Sequence, residues 1–213
     1  DSNRFLGAAG AAALAAAPTF ALRRLRLQDC GLDAAALFAL ANAPWPLEEL
    51  DFSDNNLLGP AAAPALAALS RHCSLRRLKL GYGFLSAAAF KALAEAAWPA
   101  LTSLSASMAA VEFSGPHALG AAAFAGFPAL EELEMRATHL REAGATLLAS
   151  RGWLRLKKLV LCKTQLGDAG VAALARGAWP ALERLYLRDN GLSAPLALED
   201  ARRWAPSLVD LHQ

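Results

Sequence analysis

The sequence predicts an α/β solenoid of horseshoe shape, with a parallel β-sheet on the concave face and helices on the convex face. Three observations predict it. An apolar pattern, L-x-x-L-x-L with a further apolar residue at its eleventh position, recurs at a nearly fixed interval along the 213 residues. Ala/Leu-rich runs at helical spacing separate its copies, and each run returns to the next copy through an aromatic residue, usually before proline. A single such unit cannot bury its apolar side, whereas stacked units share one continuous core.

The pattern begins at Leu22, Leu47, Leu75, Leu101, Leu130, Leu156 and Leu182, and its opening recurs at Leu208; the spacings are 25, 28, 26, 29, 26, 26 and 26 residues. Every fourth position is leucine: Leu25, Leu50, Leu78, Leu104, Leu133, Leu159, Leu185 and Leu211. L-x-L alternation sends the leucines of a short strand to one face and the intervening residues to the other. After each strand and turn, Asp33, Ser86, Asp168 and Ser193 are residues suited to start a helix. The runs that follow, such as Gly170 to Ala175, are rich in alanine and let neighbouring helices approach closely. Trp45-Pro46, Trp98-Pro99, Phe127-Pro128 and Trp179-Pro180 then mark the returns, with Trp153 at the same place without its proline. Proline stops the helix and presets an extended chain. An aromatic row with one member per repeat reads as a structural ladder rather than a ligand box.

This register resembles the leucine-rich-repeat superfamily, in particular the ribonuclease-inhibitor-like class of strand–turn–helix repeats. The Asn/Cys position of the family's L-x-x-L-x-L-x-x-N/C-x-L motif holds Cys30, Asn55 and Asn190, with Thr138 and Thr164 in two further repeats. Gly83 and Ala109 depart from it, and so does Ala106, which replaces a strand leucine in repeat four. In the family that side chain hydrogen-bonds the turn backbone, so repeats three and four are expected to have a looser or water-satisfied turn. The resemblance covers nearly the whole chain. It implies one domain over residues 1–213, with about seven full repeats and a partial repeat at each end. It also implies a non-catalytic scaffold or recognition domain for protein partners. Regulatory or adaptor arms, such as ubiquitin-ligase substrate receptors and GTPase regulators, are the family's alternative.

Residues 1–7 overlay 53–59, with Asn3 matching Asn55, and Leu208 to Leu211 read as a strand without its helix. The expectation is that this is a fragment of a longer array, or that further repeats or a partner chain cover the ends, since an uncapped solenoid exposes an apolar face.

The net charge of +2 is small for a protein that lives on phosphate backbones, so no nucleic-acid partner is expected. Cys30, Cys73 and Cys162 are scattered and odd in number, which points away from a disulfide framework and towards the cytoplasm or another reducing compartment. Residues 5–22 carry no charge over eighteen positions, long enough to consider a membrane span. The stretch is mostly Ala and Gly with Pro18 near its end and falls into the repeat register, so the expectation is a buried convex-side helix and no membrane span.

Chemistry is weakly represented. His72, His117, His139 and His212 fall at unrelated repeat positions without metal-ligand spacing. Gly81-Tyr82-Gly83 lacks the third glycine of a dinucleotide loop, and neither a phosphate-binding G-x-x-x-x-G-K-[ST] nor a G-x-S-x-G elbow occurs. No catalytic residue, metal or cofactor is expected.

The concave face is the expected working surface. The third positions form the row Arg24, Glu49, Arg77, Ser103, Glu132, Lys158, Arg184 and Asp210; the fifth positions give Arg26, Asp51, Lys79, Ser105, Glu134, Val160, Tyr186 and His212. Over repeats one to three this reads as a self-neutralising ladder whose exposed pairs are each worth about 0–1 kcal/mol. Two places break it. An uncharged window comprises Ser103, Ser105, Ser107, Met108 and Tyr82. A cationic aromatic area comprises Arg136, Lys158, Lys163, Arg184 and Arg188 around Tyr186. Arg and aromatic side chains are the usual anchors of protein interfaces, so the candidate partner-binding residues are Tyr82, Ser105, Met108, Arg136, Lys158, Arg184, Tyr186 and Arg188. Ser114 to His117, an insertion in the 29-residue repeat four, is the expected projecting loop.

Overall fold

The computed structural model describes residues 3–17, 21–55, 59–83, 85–111 and 118–213. Eight strands of three residues form one parallel sheet in chain order: β1 (Arg24–Arg26), β2 (Glu49–Asp51), β3 (Arg77–Lys79), β4 (Ser103–Ser105), β5 (Glu132–Glu134), β6 (Lys158–Val160), β7 (Arg184–Tyr186) and β8 (Asp210–His212). The register places the central leucines side by side, Leu25 on Leu50, Leu50 on Leu78, and so on to Leu185 on Leu211. The leucines of β2 to β7 are at most 1% exposed. The side of the sheet they occupy is the core, and the flanking positions of every strand lie on the open face.

Seven helices among the described residues cover the core: α1 (Gly7–Ala16), α2 (Ala34–Ala41), α3 (Ala62–Leu69), α4 (Ala87–Glu95), α5 (Arg141–Ala149), α6 (Gly167–Leu174) and α7 (Leu198–Arg202). Two of the expected helix starts act as caps. Asp33 accepts from the Ala36 N–H at 2.9 Å, and Ser86 accepts from the Ala89 N–H at 3.3 Å. The other two do not. Asp168 lies inside the first turn of α6, and its carboxylate accepts instead from the Ser193 backbone N–H at 3.0 Å and from the Ser193 hydroxyl. That contact ties Ser193 to the preceding repeat, and α7 begins only at Leu198.

The aromatic row is structural, as its spacing predicts. Trp98, Trp153 and Trp179 are at most 4% exposed, and each indole Nε1 donates to the carbonyl five residues back, Leu93, Leu148 and Leu174, at 2.8–3.0 Å. Each indole thereby satisfies a carbonyl in the last turn of its helix that has no intrahelical partner. Trp45 occupies the same place, but its Nε1 has no partner among the described residues.

Repeat four is the irregular one, more so than its sequence suggests. No helix lies between β4 and β5 among the described residues, and residues 121–126 form turns. Phe124, in the left-handed region at φ 64°, fills the space instead. Its ring centroid lies 6.2 Å from Phe90, 6.0 Å from Phe127 and 6.2 Å from Trp153, bridging α4 to the return before β6. A Cβ on Gly126 would sit 2.1 Å from the Ala96 carbonyl oxygen, so only glycine lets the chain pass there. The insertion Ser114 to His117 lies outside the described residues.

The segment 7–16 is a packed helix, though not a fully buried one: Ala11 is its only residue excluded from solvent, and Ala12 and Ala13 are exposed. No helix among the described residues is long and apolar enough to cross a membrane. Residues 3–6 dock on repeat one through Arg4, whose Nε lies 2.8 Å from Asp29 Oδ1. Asn3 is exposed there, unlike the fully buried Asn55 that it overlays in sequence.

Candidate functional site

The turn after each strand decides where the open face ends. Its eighth-position residue is left-handed in all seven repeats: Asp29, Asp54, Tyr82, Met108, Ala137, Lys163 and Asp189 have φ between 51° and 58°. The conformation is imposed by packing, because only three of the seven are residues that tolerate it well. Asn55 and Asn190 lock the turn. Asn190 is 4% exposed; its Oδ1 accepts from the N–H groups of Thr164 (2.9 Å) and Leu166 (3.3 Å), and its Nδ2 donates to the carbonyls of Leu161 and Leu187, both at 2.7 Å. Asn55 does the same for Cys30, Leu32, Leu27 and Phe52. Each asparagine thus stitches its own turn to the preceding repeat. The threonines do less: Thr138 and Thr164 hydroxyls donate to the carbonyls three residues back, Met135 and Leu161, at 2.8 Å. The looser turn expected at repeats three and four is not found at this residue, since Tyr82 and Met108 share φ 58° with Asp54, Lys163 and Asp189.

The two rows of open-face residues lie in the predicted register. The ladder of repeats one to three differs from expectation in depth. Glu49 joins Arg26 at 2.9 Å and Arg77 at 3.6 Å, and Asp51 joins Lys79 at 3.4 Å. The acids are the sunken members, with side chains 6% and 10% exposed, whereas Arg26, Arg77 and Lys79 are 63%, 62% and 49% exposed. The physical reason is side-chain length. A two- or three-carbon carboxylate on β2 lies close to the sheet, and longer cationic side chains from both neighbouring strands lie over it with their heads in water.

The middle window is only partly as expected. Ser103 and Ser105 are half-buried on a depression of about 250 Å³, and its walls are charged, with Lys79, Glu132, Glu134 and Lys158 around the serines. Ser103 Oγ donates to Glu132 at 3.2 Å. Ser107 is not on this surface; it is 1% exposed, and its hydroxyl accepts from the Arg136 N–H at 3.3 Å. Tyr82, half exposed, and Met108, half-buried, stand at the rim, on the turns that follow β3 and β4. Arg136, on the next turn, is exposed and bonded to Glu134 at 2.6 Å. Partial burial works against its charge, but the Glu134 carboxylate outweighs this and holds the guanidinium pKa above its ordinary value.

The cationic aromatic area comes together on β6 to β8. Tyr186 and His212 stack with ring centroids 4.4 Å apart and planes 4° from parallel, and Lys158 Nζ lies 5.9 Å from the Tyr186 centroid. Arg184 reaches Glu132 at 4.0 Å across two strands. Arg188 is exposed on the turn beyond Tyr186, with Lys163 on the turn before it, where the Lys163 N–H donates to the Arg188 carbonyl at 2.9 Å. Val160 has the register of an open-face residue but is fully buried there.

Sequence reasoning also missed a convex-side cavity of about 450 Å³ between α6 and α7, lined by Val171, Ala175, Leu192, Pro195 and Trp204 with Asp200 and Arg203 at its edge. It lies beside α7, which is only five residues long, a length with no clear signal in a segment that contains Leu196 and Leu198. No group of three or more His, Cys, Asp or Glu side chains able to hold a metal occurs among the described residues. Compared with known proteins, no family model matches the chain, and no curated protein sequence matches it.

Proposed function

We propose that this chain is a non-catalytic protein–protein interaction scaffold of the leucine-rich-repeat kind, working through the open, concave face of its sheet. The observation that carries the reading is the Tyr186–His212 stack with Lys158 against it and Arg184 alongside. These groups are partly exposed, and Lys158, Arg184 and Tyr186 are mounted on strands whose core-side leucines, Leu159 and Leu185, are fully buried. That part of the surface is therefore held in shape before any partner arrives, which lowers the entropy cost of binding. Aromatic and arginine side chains on such a frame are the typical anchors of an interface. Tyr82, Ser105, Met108 and Arg136 extend the same surface across β4 and β5, and Arg188 extends it past β7. The leucine register, the buried Asn190 and Asn55 turns and the indoles that recur at four of the returns support the repeat class.

The test is crosslinking and co-purification of the protein from its native source, with Tyr186→Ala and Tyr82→Ala compared against exposed convex-side changes such as Phe38→Ala. The expected result is loss of a partner with the tyrosine variants and retention with the convex one. Retention of every partner by both tyrosine variants, together with loss on the helix side, overturns the assignment.

A further inference from the structure

The unequal depth of the ladder on β1 to β3 changes what that face offers to a partner. By formal charge, Arg23, Arg24, Arg26, Arg76, Arg77 and Lys79 face Glu48, Glu49 and Asp51, six cations against three carboxylates. By exposure the difference is larger. All six cations are exposed, whereas Glu49 and Asp51 are buried and Glu48 is engaged by Arg23. One Glu49 carboxylate is shared between two guanidiniums, and Arg24 and Arg76 have no ion pair among the described residues. A depression of about 320 Å³ opens at the start of these strands, lined by Arg23, Arg24, Arg76 and Arg77 over Glu48 and Glu49.

From this geometry we infer that the β1–β3 face binds an acidic peptide segment in extended conformation, laid over β2 with its carboxylates among the arginines. The inference rests on the scaffold reading above and adds the class of partner for one end of the face. Spacing supports an extended peptide. Same-face side chains of an extended chain repeat every second residue, about 6.8 Å, which is also the spacing from Arg24 to Arg26 and from Arg77 to Lys79. β1 and β3 are two strand spacings apart, about 10 Å, so side chains from one peptide over β2 reach both rows. Chemistry supports carboxylates. The cations flank β2 along its length, Arg24 and Arg26 on β1 and Arg77 and Lys79 on β3, which suits a chain of separated single charges running along β2. A guanidinium also grips a carboxylate with two parallel hydrogen bonds. The buried Glu49 has a role in this arrangement: it fixes Arg26 and Arg77 from below while leaving their outer donors to the ligand.

The experiment uses the whole chain and fluorescence anisotropy with a labelled peptide of about ten residues alternating Glu and Ser, an extended repeat of the required spacing. Controls are the Gln/Ser peptide and a single-stranded oligonucleotide of equal charge. The expected result is that the Glu/Ser peptide binds at least tenfold more tightly than the Gln/Ser peptide. That affinity should fall at least about tenfold between about 50 and about 300 mM salt, as expected for exposed charges. Arg24→Gln with Arg76→Gln should weaken it by about tenfold or more, as loss of two charge-assisted contacts implies, while Arg71→Gln after α3 leaves it unchanged. Both target arginines are exposed and unpaired among the described residues, so the double variant keeps its fold, which circular dichroism checks. Equal binding of the two peptides, no loss in the double variant, or tighter binding of the oligonucleotide overturns the inference. If the tyrosine variants lose a partner while the Glu/Ser peptide fails, the scaffold reading stands and only the acidic-segment inference falls.

Discussion

Replacing Asn190 by Ala removes more than its size suggests. The side chain is 4% exposed and makes four hydrogen bonds: two accepted by Oδ1, from the Thr164 and Leu166 N–H groups, and two donated by Nδ2, to the Leu161 and Leu187 carbonyls. Thr164 and Leu166 are 0% and 3% exposed, so alanine leaves two N–H groups without a partner or easy access to water. At about 1–3 kcal/mol for each of the two unsatisfied buried groups, the expected loss is about 2–6 kcal/mol. Thr138→Ala is the internal reference. It removes one donated bond, to the Met135 carbonyl, and frees no N–H, so about 1 kcal/mol is expected. Urea denaturation followed by circular dichroism gives both values. Amide hydrogen exchange at Thr164 and Leu166 should accelerate in Asn190→Ala ahead of global unfolding. A loss below that of Thr138→Ala, or unchanged protection at those two amides, would refute the claim that this asparagine stitches neighbouring repeats together.

Three further predictions concern charge, backbone strain and pH. Glu49→Ala should cost about 1–2 kcal/mol, more than an exposed pair but less than a buried one that orphans its partner, because Arg26 and Arg77 stay hydrated; Leu159→Ala, from a fully buried strand centre, should cost about 2–5 kcal/mol, and denaturant melts that reverse this order would mean the strand faces are misassigned. Ala137→Gly should stabilise the protein by about 0.5–1 kcal/mol, since φ 53° suits glycine, and a lower melting temperature would count against that account. The Ser193 hydroxyl and backbone N–H hold the Asp168 pKa below its ordinary value, so their contribution to stability is present above the unfolded carboxyl pKa and is lost as pH falls through the lower folded one; Ser193→Ala should raise the Asp168 pKa in a carboxyl NMR titration, and an unmoved titration would show that the serine hydroxyl is not the cause.

The sequence alone determined the repeat register, the strand centres, the side of the sheet that each residue faces and the place of the aromatic returns. All of these follow from periodicity, and a parallel stack with one strand per repeat has little freedom to depart from it. It also located the Tyr186 area, because open-face rows come directly from position in the repeat. The tertiary structure decided depth and closure. Glu49 and Arg77 share a row and an alternation, yet one is buried and the other exposed, because side-chain length and the flanking arginines set how far each lies from the sheet. Ser107 belongs to the same serine run as Ser103 and Ser105 but is buried, its hydroxyl taken by the Arg136 N–H of the next repeat, 29 residues away. Asp168 carries the composition of a helix cap, but its carboxylate is taken by Ser193, a partner 25 residues away that no local pattern reveals. Among the described residues no helix follows the strand of repeat four and Phe124 fills the space, and whether one ring can do so depends on the neighbours around it, which only the folded chain brings together.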